Sequence, residues 1–290
     1  MKIQYENVKL PECDCTNIPV QLTDETMKER LNKVLDRMNC ENFDSLVIYA
    51  DLEHGNNFEY LTGFLPRFEE ALLILNTNGN HYMVLGNENL NKASKARIKA
   101  TPIHCPYFSL PNQPMDVKKG IKDILSQCGF DKASKVGIVG WKNFTSNYED
   151  NSQLFDVPYY IVDTIRDIFG YNIYNATRLF IGDNGARCTN NVNEIVHYEF
   201  GAALASDCIL KAMNHLDVGV SEMELGDILN AYGQKNSVVT IAASGPRFIK
   251  ANIYPTNNTV KLKDPISLSI GYKGGFSSRA GYAVHDSSEL

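Results

Sequence analysis

The chain has 290 residues, 43% hydrophobic and 21% charged, an ordinary globular composition whose length suggests about two domains. Its 28 basic and 34 acidic residues leave a net charge of −6, which argues against general nucleic-acid binding, since that needs a basic face to release counterions. No segment has the long uncharged apolar run of a membrane helix, and no apolar core follows Lys2 as a secretory signal would require, so a cytoplasmic protein is expected.

Residues 1–22 read as an irregular lead-in. Thr23 to Met38 is predicted as a helix, with Met27, Leu31, Val34 and Met38 forming one apolar stripe. Ser45 to Ala50 (SLVIYA) reads as a buried strand, and residues 51–64 (DLEHGNNFEYLTGF) as a loop in which His54 is solvated. Ala71–Asn76 and His81–Leu85 flank Asn78-Gly79, a strong hairpin signal, and are expected to pair antiparallel. Leu90 to Ile98 suits a short helix, and Pro102 to Pro114, with four prolines, suits loop or edge. Met115 to Cys128 reads as a helix and Lys135 to Gly140 as a strand; the glycines there form no nucleotide fingerprint. Val157 to Phe169 mixes strand-like and helical patterns. The sum is an α/β domain over residues 23–180. The seven cysteines include one close pair, Cys13 and Cys15, with no second Cys/His pair nearby to complete a site, so reduced, unpaired thiols are expected. Asn143-Phe144-Thr145 and Asn175-Ala176-Thr177 match glycosylation sequons, read as chance in a chain without a signal peptide.

Arg178 to Asn190, with two glycines and no periodicity, reads as a boundary, and a second domain is assigned to residues 188–290. Ile195, Tyr198, Ala202, Ala205, Ile209, Ala212 and Leu216 alternate spacings of three and four, which predicts a long helix capped by Asn191 and Glu194. Ser221 and Glu224 form a capping box for a second helix, with Leu225, Ile228, Leu229 and Tyr232 inward and Gly233 at its end. Ser237 to Ala243 reads as a strand ending at the turn Ser244-Gly245-Pro246. Ile266–Ile270 and Phe276–Val284 read as strands joined by Lys273-Gly274-Gly275.

Three segments carry a family resemblance. Asn57-Phe58-x-Tyr60-Leu61-Thr62-Gly63-Phe64 resembles the Asn-x-x-Tyr-Leu-Thr-Gly-Phe segment of the creatinase-type N-terminal domain. Asn193-Glu194-Ile195, the long helix and Val218-Gly219-Val220-Ser221-Glu222 resemble the start of the catalytic domain of the "pita-bread" peptidases: Xaa-Pro aminopeptidase, prolidase, methionine aminopeptidase and creatinase. Ser244-Gly245-Pro246, Lys263-Asp264, Ser269-Ile270-Gly271 and Gly275-Phe276-Ser277-Ser278 resemble that domain's turn and strand motifs. The implied fold is α/β (α+β), a creatinase-type N-terminal domain followed by the first half of a pita-bread domain. The resemblance also implies a second half, supplying a histidine and two glutamates, so the chain is expected to be a fragment or to complete its sheet with a partner. It further implies a homo-oligomer, often with the Tyr60 segment near a neighbouring subunit's active site; core packing is the favoured reading of Tyr60, Leu61 and Phe64.

By the resemblance, the family histidine falls on Asn252, the first metal-binding Asp on Ser269, and the second on Arg279, or on Ala280 if the hairpin is counted one residue longer. Two divalent cations need carboxylates to hold and neutralise them. The only carboxylate between Val238 and Val284 is Asp264, at the turn. No metal ligands and no cofactor are therefore expected. Asn252, Ser269, Arg279 and Tyr60 are candidate cleft residues, with Arg279 suited to clamp a substrate carboxylate. Asparagine cannot act as a general base near neutral pH. Two functions fit: a hydrolase of a C–N bond in a peptide or small amino-acid derivative without the dinuclear site, or a non-catalytic pita-bread protein that binds a peptide or protein partner in the cleft. A third reading leaves Asn252, Ser269 and Arg279 as structural polar residues.

Overall fold

Thr23 caps the first helix, α1 (Asp24–Cys40), its hydroxyl accepting from the Thr26 N–H at 3.2 Å. Met27, Val34 and Met38 are buried along the predicted stripe, and so is Arg30 beside them. The structure, a computed structural model, describes residues 18–113, 117–130, 135–250 and 253–289. The chain divides into two units, Thr23–Asn190 and a second that starts at Asn191 and also takes in residues 18–22.

The first unit is built on a six-stranded mixed sheet: β1 (Ser45–Ala50), β2 (Ala71–Asn76), β3 (Tyr82–Leu85), β4 (Thr101–His104), β5 (Val136–Val139) and β6 (Ile173–Asn175), in the order β4-β3-β2-β1-β5-β6. The β1/β2 and β2/β3 pairs are antiparallel; β3/β4, β1/β5 and β5/β6 are parallel. Every residue of β1 and β2 is buried, because both sheet faces are covered. Leu46, Ile48 and Ala50 face a cluster with Val34, Met38 and Phe58, whereas Val47 and Tyr49 face one with Ile161 and Ile165.

The helices of this unit depart from expectation in several places and settle one segment left undecided. Residues 51–64 are not a loop: α2 (Asn56–Thr62) forms there and ends at Gly63, whose left-handed backbone (φ 78°) suits a C-cap. Val157–Phe169 resolves into α4 (Tyr159–Phe169), which turns Ile161, Val162, Ile165 and Phe169 inward. Of the helix expected over Met115–Cys128, α3 (Ile121–Leu125) is the helical part among the described residues. Leu90–Lys95 and Pro106–Phe108 are 3₁₀ turns, and α5 (Arg178–Ile181) follows β6. Cys40, Cys105, Cys128, Cys188 and Cys208 are free thiols; Cys13 and Cys15 lie outside the described residues.

The second unit packs a three-stranded antiparallel sheet, β7 (Ile241–Ser244), β8 (Pro265–Tyr272) and β9 (Gly275–Tyr282), against α6 (Val192–His215) and α7 (Glu222–Leu229). Both capping boxes form as expected, Asn191 with Glu194 and Ser221 with Glu224. The α6 stripe is buried at Ala205, Ile209 and Ala212, but Ile195 is exposed and Glu194 is buried in its place. Tyr232 points outward, because α7 stops at Leu229 and Tyr232 adopts a positive φ of 55°. The first strand starts at Ile241 rather than Ser237, leaving Val238 and Val239 exposed.

Glycines let the β8–β9 connection rest on α6. A methyl at Gly201 would lie 2.0 Å from the Lys273 carbonyl oxygen, and one at Gly274 (φ +114°) would lie 2.0 Å from that of Tyr198. Neither neighbour is a flexible side-chain end that could swing away. Gly201→Ala is therefore expected to lower stability by about 1–3 kcal/mol, measured as a reduced urea midpoint.

Candidate functional site

The hairpin of the second unit decides what its open sheet face presents. Ser269 pairs with Ser278, Ser267 with Ala280 and Leu268 with Arg279. Residues directly opposite in an antiparallel pair share a face, and faces alternate along each strand. Leu268 and Ile270 lie in the core with Leu204, Ala205 and Ile209 of α6. Ser267, Ser269, Phe276, Ser278, Ala280 and Tyr282 therefore project from the other face. The Ser269 and Ser278 hydroxyls are 2.6 Å apart, with Ser269 buried, while Phe276 and Tyr282 are 61% and 60% exposed. Arg279 is exposed, and its Nη1 donates to the Ser278 carbonyl at 2.7 Å.

Of the four candidate cleft residues, Ser269 lies on this open face, and the register places Arg279 on the opposite one. Ala280, the alternative position for the second Asp, shares the face with Ser269. Asn252 lies outside the described residues. Asp264 closes a turn, with its Oδ2 accepting from the Lys261 N–H at 2.9 Å.

Tyr60 belongs to the first unit's core. Its hydroxyl donates to the Ala186 carbonyl at 2.9 Å, and the Arg30 guanidinium lies 4.4 Å above its ring. Its neighbours in the Asn-x-x-Tyr-Leu-Thr-Gly-Phe segment act as fasteners too. Asn57 Nδ2 donates to the Gly140 carbonyl at 2.7 Å, and its Oδ1 accepts from Arg187 Nη1 at 2.7 Å. Thr62 Oγ1 donates to the Phe58 carbonyl at 3.0 Å. His54 is not simply solvated: its Nδ1 lies 2.9 Å from Asp51 Oδ2, and its ring centroid is 4.5 Å from that of Trp141. Burial pushes the Asp51 carboxyl up, but hydrogen bonds from the His54 side chain and backbone outweigh it and hold the carboxyl below its ordinary range.

A polar cluster of the second unit is centred on Glu222, the last residue of the segment 218–222, to which the sequence assigns no site role. Glu222 is fully buried. Oε1 accepts from the Ser244 N–H (2.8 Å), Ser244 Oγ (3.0 Å) and Asn258 Nδ2 (3.1 Å). Oε2 accepts from the Thr256 N–H (3.1 Å) and Thr256 Oγ1 (2.8 Å), and pairs with Arg247. Arg247 Nη2 in turn donates to the Tyr254 carbonyl at 2.7 Å. One carboxylate thus fastens the turn after β7 and the segment before β8 to the start of α7.

The two divalent cations that the family resemblance implies would need anionic donors on the open face. Ser269 and Ser278 offer neutral hydroxyls already bonded to each other, and Ala280 offers nothing. Among the described residues no three His, Cys, Asp or Glu side chains come together as a metal site. The donors on this face do not fit a dinuclear centre, because no carboxylate is present to neutralise the cations.

The sequence model of the Creatinase/Prolidase N-terminal domain matches residues 30–166. This part of the chain is a creatinase/prolidase N-terminal domain. Its boundaries enclose α1 from Arg30, the strands β1 to β5 and most of α4. Solved structures extend the likeness. An Xaa-Pro dipeptidase from Bacillus anthracis is 15% identical, with a TM-score of 0.60 over 91% of this chain and 67% of its own. The prolidase from Thermococcus sibiricus is 18% identical, with a TM-score of 0.66 over 91% of this chain and 67% of its own. The X-Pro aminopeptidase from Thermotoga maritima is 14% identical, with a TM-score of 0.60 over 87% of this chain and 64% of its own. No curated protein matches the sequence. At these identities the comparison establishes the fold: a creatinase/prolidase N-terminal domain followed by a pita-bread-like unit, together spanning about two-thirds of those peptidases. Among the described residues no helix is long and apolar enough to cross a membrane.

Proposed function

We propose that this chain binds an extended peptide on the open face of its β8–β9 hairpin and does not hydrolyse it by two-metal chemistry. The observation that carries this reading is the Ser269 hydroxyl, which stands where the family resemblance expects an acidic metal ligand and is paired with the Ser278 hydroxyl. The exposed rings of Phe276 and Tyr282 on the same face offer apolar contact on either side of the two hydroxyls. The peptide class is taken from the fold shared with Xaa-Pro peptidases, whose names state what they cleave.

A panel of Xaa-Pro dipeptides and longer Xaa-Pro peptides, incubated with manganese or with EDTA, tests the reading. The expected result is no turnover in either condition, with longer peptides shifting the amide resonances of residues 276–282. Manganese-dependent turnover would overturn it by requiring metal ligands that this face does not provide. Turnover that survives EDTA would instead establish a metal-free hydrolase of a C–N bond.

A further inference from the structure

The first unit carries a cavity of its own. With a volume of about 280 Å³, it opens between the end of α1, the loop after β5 and the turn after α5. Its lining is polar and of mixed charge. Arg178 and Glu41 form an ion pair in its wall, and Arg178 Nη1 also donates to the Asn175 carbonyl at 3.1 Å, so both charges are committed. Arg37 and Asp183 also line the cavity, and neither side chain makes a hydrogen bond or ion pair among the described residues. The same is true of the side chains of Asn143, Thr145 and Asn184.

We propose that this cavity binds a free α-amino acid as its zwitterion, with the carboxylate on Arg37 and the ammonium near Asp183. Charge balance selects the ligand. A simple anion would satisfy Arg37 but leave Asp183 beside added negative charge, and a simple cation would do the reverse. A zwitterion answers both, and Asn143, Thr145 and Asn184 supply neutral hydrogen bonds around it. The volume lies just below the range typical of drug-sized ligands, which suits a molecule of amino-acid size. The walls are built before any ligand arrives. The Gly185 N–H donates to the Gly182 carbonyl at 2.7 Å, and the Ala186 and Arg187 N–H groups donate to the Leu179 and Phe180 carbonyls at 2.8 and 2.9 Å, which fixes the turn bearing Asp183 and Asn184. Asn151 fixes the loop beyond Thr145, accepting from the Ser146 N–H at 2.8 Å and donating to its carbonyl at 2.9 Å. Preorganised walls lower the ordering cost of binding a small ligand.

Titration of the whole chain with alanine, with acetate as the carboxylate-only control, tests the site by amide resonance shifts and calorimetry. Alanine is expected to shift residues 143–145 and 182–184 and to bind more tightly than acetate. R37Q should weaken alanine about 10- to 100-fold, as the loss of a charged hydrogen bond does. D183N should weaken alanine about tenfold while leaving acetate binding unchanged or improved. Both replaced side chains lack partners within the described fold, so neither variant should change the melting temperature. Absent shifts at these residues, or alanine affinity unchanged in both variants, would overturn the site. Acetate binding as tightly as alanine would overturn the zwitterion.

Discussion

Glu222→Ala is expected to lower the stability of the second unit by about 3–5 kcal/mol, the usual consequence of breaking a buried charge pair and stranding its partner. The size follows from what the carboxylate holds. Two N–H groups, two hydroxyls, one side-chain amide and Arg247 all converge on it, and alanine removes that shared acceptor, although Asn258 keeps Ser244 Oγ and Arg247 keeps the Tyr254 carbonyl. Glu222→Gln keeps the shape but removes the charge opposite Arg247, so a smaller loss is expected. Hydrogen exchange at β7 and β8 amides is the suitable readout, since a chain with two units need not unfold in one step. The variant pair also sets a pH dependence. Burial pushes the Glu222 carboxyl up, but hydrogen bonds from Thr256, Ser244 and Asn258 outweigh it and hold the carboxyl below its ordinary range. Its folded-state pKa is thus lower than its unfolded one. The carboxylate's stabilisation is fully present above the unfolded value and is lost as pH falls through the folded one. The stability gap between the parent chain and Glu222→Gln should therefore be widest near neutral pH and close in acid. A gap independent of pH would show that the charge does not contribute.

Tyr60 gives the second large effect, and it separates a core role from a cleft role. Tyr60→Ala removes a ring that is 6% exposed and stacked beneath Arg30, and should cost about 3–5 kcal/mol, as large aromatic truncations do. Tyr60→Phe keeps the ring and removes the hydroxyl that donates to the Ala186 carbonyl, for about 1–3 kcal/mol. Urea unfolding followed by Trp141 fluorescence reports on this unit. Peptide binding on the β8–β9 face should be unchanged in Tyr60→Phe. A variant that keeps its stability but loses ligand affinity would instead place Tyr60 at a binding site.

What the sequence revealed, and where it failed, follows from how each element is buried. Thr23, the α1 stripe and the Asn78-Gly79 turn are local signals, and the structure follows them. The strand SLVIYA is legible because both sheet faces are covered and every residue is apolar or small. The helix α2 was not legible for a related reason. Asn57, Phe58, Tyr60, Leu61 and Thr62 are buried almost consecutively, so no one-sided period exists to detect. In α6 the apolar period runs on past the buried face: at its first turn Glu194 is buried and Ile195 faces solvent, an inversion set by the reciprocal Asn191–Glu194 cap. At the candidate site, the absence of carboxylates was readable from residue types alone. Which residue faces Ser269 was not, because a one-residue change of hairpin register exchanges the faces. The counted spacing offered Arg279 or Ala280, and the pairing of Ser269 with Ser278 places Ala280 on the shared face. The Glu222 network was invisible because its partners lie up to 36 residues away.

On its outer side β9 has no strand partner among the described residues, so a row of backbone donors and acceptors is left available for pairing. Such a border invites another copy of the chain to continue the ladder and seed an insoluble assembly. Arg279 stands in the middle of that border as an exposed cation, and copies aligned side by side would bring like charges together. The arginine that the hairpin register turns away from the open face thus occupies the position of a gatekeeper charge on that border.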